Sequence, residues 1–164
     1  VIGAALQAYD EAAYHDEFEP ILADYGLEKI DPARWYPQQL TLDVQKAIRD
    51  APGGGNSLVS IGMKIIETAK FPPMESLEAA LQAFAVSYPM NFRNQAENDL
   101  IRAERVSDNH IRVVNQSPHS DEMIYGYVYA MAKRFSPEDK HPIVKFEDNS
   151  QIDGDGDMII NVSW

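Results

Sequence analysis

The sequence predicts an α+β fold in which an N-terminal helical layer packs on a four-stranded antiparallel sheet. Three observations carry that prediction: helical periodicity through residues 1–95, a change to a two-residue period near Leu100, and two hairpin-like stretches, 99–116 and 142–164, separated by one helix. Two hairpins give four antiparallel strands, and the helices supply the layer that covers one face of the sheet.

The helical part opens with Ile2, Leu6, Tyr9 and Ala13 at helical spacing. The next run, Gln38–Asp50, puts Leu40, Val44, Ala47 and Ile48 on one stripe and stops at Pro52-Gly53-Gly54-Gly55-Asn56, with Ser57 as the N-cap of the following helix. That helix, Ser57 to Ala69, carries Leu58, Ile61, Gly62 and Ile65 on one face and Val59, Met63 and Ile66 on another. A helix apolar nearly all round is expected at the centre. Gly62 weakens it by about 1 kcal/mol relative to Ala, which calls for close approach of a neighbouring element. Phe71-Pro72-Pro73 breaks the pattern, Ser76 caps a helix with the stripe Leu77, Ala80, Leu81, Phe84 and Tyr88, and Pro89 ends it.

From Leu100 the residues alternate. Ile101, Ala103 and Arg105 stand opposite Arg102, Glu104 and Val106, Ser107-Asp108-Asn109 supplies a turn, and Ile111 and Val113 return. A loop, Ser117 to Ser120, leads into a helix with Asp121 and Glu122 in its first turn and Lys133 and Arg134 in its last, the charge order that a helix dipole favours. Its stripe is Ile124, Val128, Met131, Ala132 and Phe135. Ile143 to Phe146, a ten-residue loop, and a strand with Met158, Ile160, Val162 and Trp164 on one face complete the second hairpin.

A chain of 164 residues buries roughly 70% of its unfolded surface and needs no metal or disulfide to fold. The expectation is one domain over 1–164, helical over 1–95 and hairpin–helix–hairpin over 99–164. A helical pattern already under way at Val1 is compatible with a fragment of a longer signalling protein. The absence of cysteine excludes disulfides, thiolate metal sites and a cysteine nucleophile, and is consistent with a cytoplasmic protein. With 26 acidic and 14 basic residues, the net charge of −12 opposes nucleic acid and anionic membrane surfaces as partners, and no apolar run reaches the length of a membrane span.

Asp153-Gly154-Asp155-Gly156-Asp157 begins like a calcium loop, but Met158 stands where such a loop needs Gly and Trp164 where it needs Glu, so a hairpin turn is the better reading. The glycines at 53–55 lack the Gly-Lys-Ser/Thr ending of a phosphate cradle and follow a helix rather than a strand. His15, His110, His119 and His141 have no metal-ligand spacing and read as surface histidines. His119 beside Asp121 and Glu122 has the groups for acid–base chemistry, and equally those of a capping loop; no set of nucleophile, base and orienting group accompanies it, so the chain reads as a binding protein rather than an enzyme. The aromatic residues Trp35, Tyr36, Phe84, Tyr88, Tyr125 and Tyr129 form the candidate lining of an apolar cavity with hydroxyls to orient a guest. The same residues serve as core or interface aromatics in the competing reading.

The C-terminal third resembles the superfamily that joins 4-vinyl-reductase-type sensor domains, heme-nitric-oxide-binding domains and the palmitoyl-pocket subunits of the TRAPP transport particle. Asn109-His110-Ile111-Arg112-Val113-Val114-Asn115, Tyr125-Gly126-Tyr127-Val128-Tyr129 and Gly154-Asp155-Gly156-Asp157 before Ile160-Asn161-Val162-Ser163-Trp164 carry the resemblance, and the upstream helices fit it in number and order. The chain departs from the family's special sites. It has no cysteine for a metal or an acyl group, no histidine between Leu77 and Tyr88, and no Tyr-x-Ser-x-Arg motif in Ser87-Tyr88-Pro89-Met90-Asn91-Phe92-Arg93. The expectation is therefore no cofactor, with heme disfavoured. The resemblance implies a small-molecule-binding sensory domain with a cavity between helices and sheet, an apolar or aromatic ligand, a homodimer and a fused or separate signalling partner. The alternative is an interaction or dimerisation module without a small ligand.

Overall fold

The computed structural model describes residues 1–147 and 158–164; the acidic glycine loop 153–157 lies outside the described residues. The chain runs through α1 (Gly3–Leu6), α2 (Ala8–Glu11), α3 (His15–Asp24), α4 (Gln38–Asp50), α5 (Gly54–Thr68) and α6 (Leu77–Ser87), then a short 3-10 turn at Tyr88–Asn91. The hairpin β1 (Ile101–Ser107) and β2 (His110–Asn115), the helix α7 (Asp121–Phe135), and β3 (Ile143–Phe146) and β4 (Met158–Ser163) follow. The predicted α+β architecture is thus the observed one.

The sheet order is β1-β2-β4-β3 with every neighbouring pair antiparallel, so the second hairpin adds to the first through β4. Ile111 pairs with Val162 and Val113 with Ile160, and Val162 and Ile160 in turn pair with Val144 and Phe146. Directly opposed residues share a face, so the apolar side of all these strands points the same way. Its central residues Ile111, Val113, Met158, Ile160 and Val162 are buried in one hydrophobic cluster with Ile124, Val128 and Met131 of α7.

Two helix boundaries differ from expectation. The N-terminal helical run is divided into three segments: α1 and α2 meet at Gln7, and Tyr14, in a left-handed conformation (φ 67°), separates α2 from α3. The second difference is at α5, which starts at Gly54 instead of Ser57, the turn being made by Gly53 at φ 76°. Gly54 is packed so closely on the Ile48 carbonyl that a Cβ would collide with it, so the glycine run begins the helix as well as ending the one before. Ser57 is buried inside α5.

Ser76 and Ser120 cap α6 and α7 by accepting hydrogen bonds from the amides of Ala79 (3.1 Å) and Met123 (3.2 Å). The Ser120 cap fixes the loop that places His119. Among the described residues no helix is long and apolar enough to cross a membrane.

Candidate functional site

α4 turns Thr41, Val44, Gln45 and Ile48 inward, a stripe at helical spacing that contains two polar residues. Gln45 is 3% exposed and sits at the centre of a buried network. Its Oε1 accepts a hydrogen bond from the Ser120 amide (3.0 Å), and its Nε2 lies 3.0 Å from His119 Nδ1 and 3.3 Å from the Tyr9 hydroxyl. That hydroxyl donates toward the Met123 sulfur at 3.9 Å. The network therefore joins α2, α4 and the start of α7.

His119 is 7% exposed, held edge-on to Tyr88 and tilted against Phe92 at 5.3 Å between ring centroids. The reading of all four histidines as surface groups fails here, because residues far away in sequence close over the loop. His15 makes a hydrogen-bond contact with the Tyr9 carbonyl and His110 with Asn161 Oδ1, while His141 is exposed. Burial, opposed by the charge of Asp99, pushes the His119 imidazole down to about 4, so the ring is neutral at physiological pH. Its Nε2 is buried with no hydrogen-bond partner. The acid–base arrangement with Asp121 and Glu122 does not form as drawn: Asp121 accepts from Asn115 Nδ2 at 3.1 Å, and the ring turns to Gln45.

His119 lines a cavity of about 850 Å³. Leu6 and Tyr9 close one side, Ile65, Ile66 and Phe71 another, and Phe84, Tyr88, Met123 and Tyr127 the rest; the exposed residues Gln7, Glu11, Lys70 and Met90 stand at its edge. No strand residue contributes, so this cavity lies within the helical layer rather than against the sheet. Its volume is in the range, about 300–1,000 Å³, of sites that enclose drug- or cofactor-sized ligands. Burial raises the Tyr9 phenol to about 12 and pushes those of Tyr88 and Tyr127 up as well, so the phenols at the cavity wall stay neutral. Tyr88 donates to Asp99 Oδ1 (3.0 Å), whose other oxygen accepts from Gln38 Nε2 (3.1 Å).

Of the six aromatic residues singled out in the sequence, Phe84 and Tyr88 line this cavity side by side, with ring centroids 6.5 Å apart. The other four lie elsewhere. Trp35 stacks under the Arg93 guanidinium at 3.9 Å, and the Tyr36 hydroxyl accepts from the Asp31 amide at 2.9 Å. Tyr125 and Tyr129 stack on each other on the far side of α7, where Tyr125 also stacks on Phe146 and donates to the Val144 carbonyl (3.2 Å). Gln45 is the residue that sequence reasoning passed over, because the apolar stripe Leu40, Val44, Ala47 and Ile48 leaves it out while the structure turns Thr41, Val44, Gln45 and Ile48 inward; His119 was weighed there as a surface or acid–base residue and is instead buried in the lining of the cavity.

No protein-family model and no curated protein matches the chain. Solved structures do. An oxygen-binding H-NOX domain related to soluble guanylate cyclases, in its oxygen complex, superposes with a TM-score of 0.66 at 14% identity over 98% of this chain and 90% of that one. An H-NOX protein from S. oneidensis in the Fe(II)NO state gives 0.66 at 10% identity over 99% and 97% of the two chains. A single-substitution mutant of the T. tengcongensis H-NOX gives 0.64 at 14% identity over 97% and 91%. At these identities the likeness is one of fold, and it bears on the heme-nitric-oxide-binding branch of the resemblance.

The expectation of no cofactor, with heme disfavoured, is corrected by these neighbours, since heme proteins share the fold over nearly the whole chain. Among the described residues no group of three or more His, Asp or Glu side chains is placed to hold a metal ion directly. The cavity nevertheless fits a heme in three respects: its volume, its apolar walls, and the presence among those walls of imidazole, thioether and phenol groups, the types that contact heme in proteins.

Proposed function

We propose that this chain is a small-molecule-binding sensory domain whose ligand occupies the helix-walled cavity at His119. The observation that carries the reading is a largely apolar, helix-walled cavity of about 850 Å³ whose lining includes the neutral imidazole of His119 and the phenols of Tyr88 and Tyr127. A signal would arise if the ligand binds one packing of α4, α6 and α7 around the cavity more tightly than another. The H-NOX neighbours support a sensory role, and they make heme the first ligand to test. For a heme, Ile65, Phe84 and Met123 would take the macrocycle. When bound, the heme would supply an iron atom at which diatomic gases attach.

The test is a native mass spectrum of the purified protein followed by a titration of ligand-free protein with hemin, read by heme absorbance and by quenching of tryptophan fluorescence. Retained small-molecule mass or saturable uptake of one hemin per chain is the expected result. A bare protein that takes up nothing and associates as a dimer would overturn the reading in favour of an interaction module.

A further inference from the structure

We infer that the Tyr127 hydroxyl is the polar contact of the cavity, and that it selects an acceptor oxygen on an uncharged part of the ligand, a carbonyl above all. The inference rests on the cavity being a ligand site, and it names the chemistry that the site favours.

Three phenols line the cavity, those of Tyr9, Tyr88 and Tyr127. Two are engaged by the protein. The Tyr9 hydroxyl accepts from Gln45 Nε2 (3.3 Å) and donates toward the Met123 sulfur, and the Tyr88 hydroxyl donates to Asp99 Oδ1 (3.0 Å). Tyr127 differs. It is 8% exposed, and among the described residues its hydroxyl has no hydrogen-bond partner. Nor is that oxygen one of the unpartnered polar atoms sealed from water, as His119 Nε2 is, so it opens into the cavity that Tyr127 lines. Burial first, and then the nearby Tyr9 phenol, push its pKa up, which keeps the proton on the oxygen. The group is therefore a neutral donor with nothing to donate to. As with backbone groups, where orphan donors are rarer than under-satisfied acceptors, the partner it calls for is an acceptor. A ligand that displaces water from the hydroxyl must reproduce that bond or lose affinity.

Charge is disfavoured at the same point. The charged side chains of the lining, Glu11 and Lys70, are exposed at its edge, and the Val1 ammonium donates to the Tyr36 carbonyl (2.7 Å). An ion beside Tyr127 would be desolvated without a counter-ion, whereas a carbonyl oxygen needs only one donor.

Cyclodecanone and methylenecyclodecane share a skeleton and differ only in C=O against C=CH₂, and calorimetric titration gives their affinities. Tyr127→Phe removes only the hydroxyl. It should weaken cyclodecanone about three- to tenfold, the worth of one hydrogen bond, and leave methylenecyclodecane bound as tightly or more so. The carbonyl stretch of bound cyclodecanone should lie at lower frequency in the wild type than in the variant. Cyclodecanecarboxylate should bind the wild type more weakly than the ketone; tighter binding would overturn the preference for an uncharged group. Equal loss for ketone and alkene, or loss for neither, would overturn the acceptor contact and leave the cavity reading standing, as would uptake of hemin without the ketone. Failure of both probes and of hemin to bind would overturn both. A ligand-free measurement stands beside these. Tyr127→Phe breaks no hydrogen bond within the protein and should unfold at the same urea concentration as the wild type or a higher one, whereas Tyr88→Phe, which loses the bond to Asp99, should unfold at a lower one. A Tyr127→Phe variant as destabilised as Tyr88→Phe would show that the protein already holds the hydroxyl, and would refute the inference.

Discussion

Gly62 of α5 and Gly126 of α7 meet backbone to backbone. A Cβ on Gly62 would run into the Met123 carbonyl and stand 3.2 Å from the Gly126 Cα; a Cβ on Gly126 would run into the Val59 carbonyl and stand 3.1 Å from the Gly62 Cα. This crossing brings α7 against α5 and carries Met123 and Tyr127 to the cavity beside Ile65 and Ile66 of α5. The glycine that weakens α5 as an isolated helix is thus what allows the backbones of α5 and α7 to touch.

Gly62→Ala should therefore destabilise the protein by about 1–3 kcal/mol despite the better helix propensity of Ala, because the obstacle is backbone that has no rotamer to escape into. Gly55→Ala is the matched control. Its added Cβ would meet only the Glu122 Cγ, at 3.8 Å, and its φ is not in the left-handed range, so stability should hold or rise by a few tenths of a kcal/mol. Urea unfolding of the two variants checks the contrast, and equal effects would mean that the helices can separate at little cost.

Gln45→Leu keeps the volume of the side chain but removes both halves of its amide. The Ser120 amide and His119 Nδ1 lose their partner, and the Tyr9 hydroxyl loses a donor. A loss of about 2–3 kcal/mol is expected, measured by denaturant unfolding at neutral pH. A neutral effect would show that water replaces the amide.

The four strands were legible in the sequence because a two-residue period fixes strand identity and facing, whereas the pairing of Ile111 and Val113 with Val162 and Ile160 is set by how the two hairpins meet, which alternation does not encode. The caps at Ser76 and Ser120 and the approach at Gly62 were also legible, since each is a local rule with one physical cause. The start of α5 was not, because Gly54 begins the helix in order to pack on the Ile48 carbonyl, a contact that no local pattern encodes. His119 was hidden for the same reason. Its neighbours Ser117, Pro118 and Ser120 spell a solvated cap, and its burial comes from Gln45, Tyr88 and Phe92, brought in by the fold. The aromatic residues were seen as one set, yet helix geometry divides them: Tyr125 and Tyr129 share a face of α7, while Tyr127, at the intervening position, is the one that reaches the cavity.

Phe84 and Tyr125 should separate binding from packing. Phe84 is buried at the cavity wall and meets Tyr127 edge-on at 5.5 Å, so Phe84→Leu should keep the fold while changing the affinity of a hemin probe several-fold. Tyr125→Ala removes the stack on Phe146 and the hydrogen bond to Val144, loosening β3 by about 1–2 kcal/mol with probe affinity unchanged. Fluorescence titration alongside thermal unfolding distinguishes the two. Altered probe affinity in Tyr125→Ala would extend the ligand site to the far side of α7.

Acid should unfold the protein partly through His119. Burial lowers its folded-state pKa from 6.5 to about 4, so below pH 6.5 the unfolded chain takes up a proton that the folded ring refuses. The sign follows directly: the stability held by the neutral ring is complete above about pH 6.5 and is lost progressively as the pH falls through about 4. At ~1.4 kcal/mol per pH unit, about 2 kcal/mol should disappear between pH 7 and pH 5 from this one group. His119→Phe cannot titrate, so its unfolding free energy should fall less steeply over that interval, while the carboxylates contribute alike to both chains. Urea unfolding of the two proteins at pH 7, 6 and 5 measures the difference in slope. Parallel curves would mean that the His119 ring is reached by solvent and protonates in the folded state.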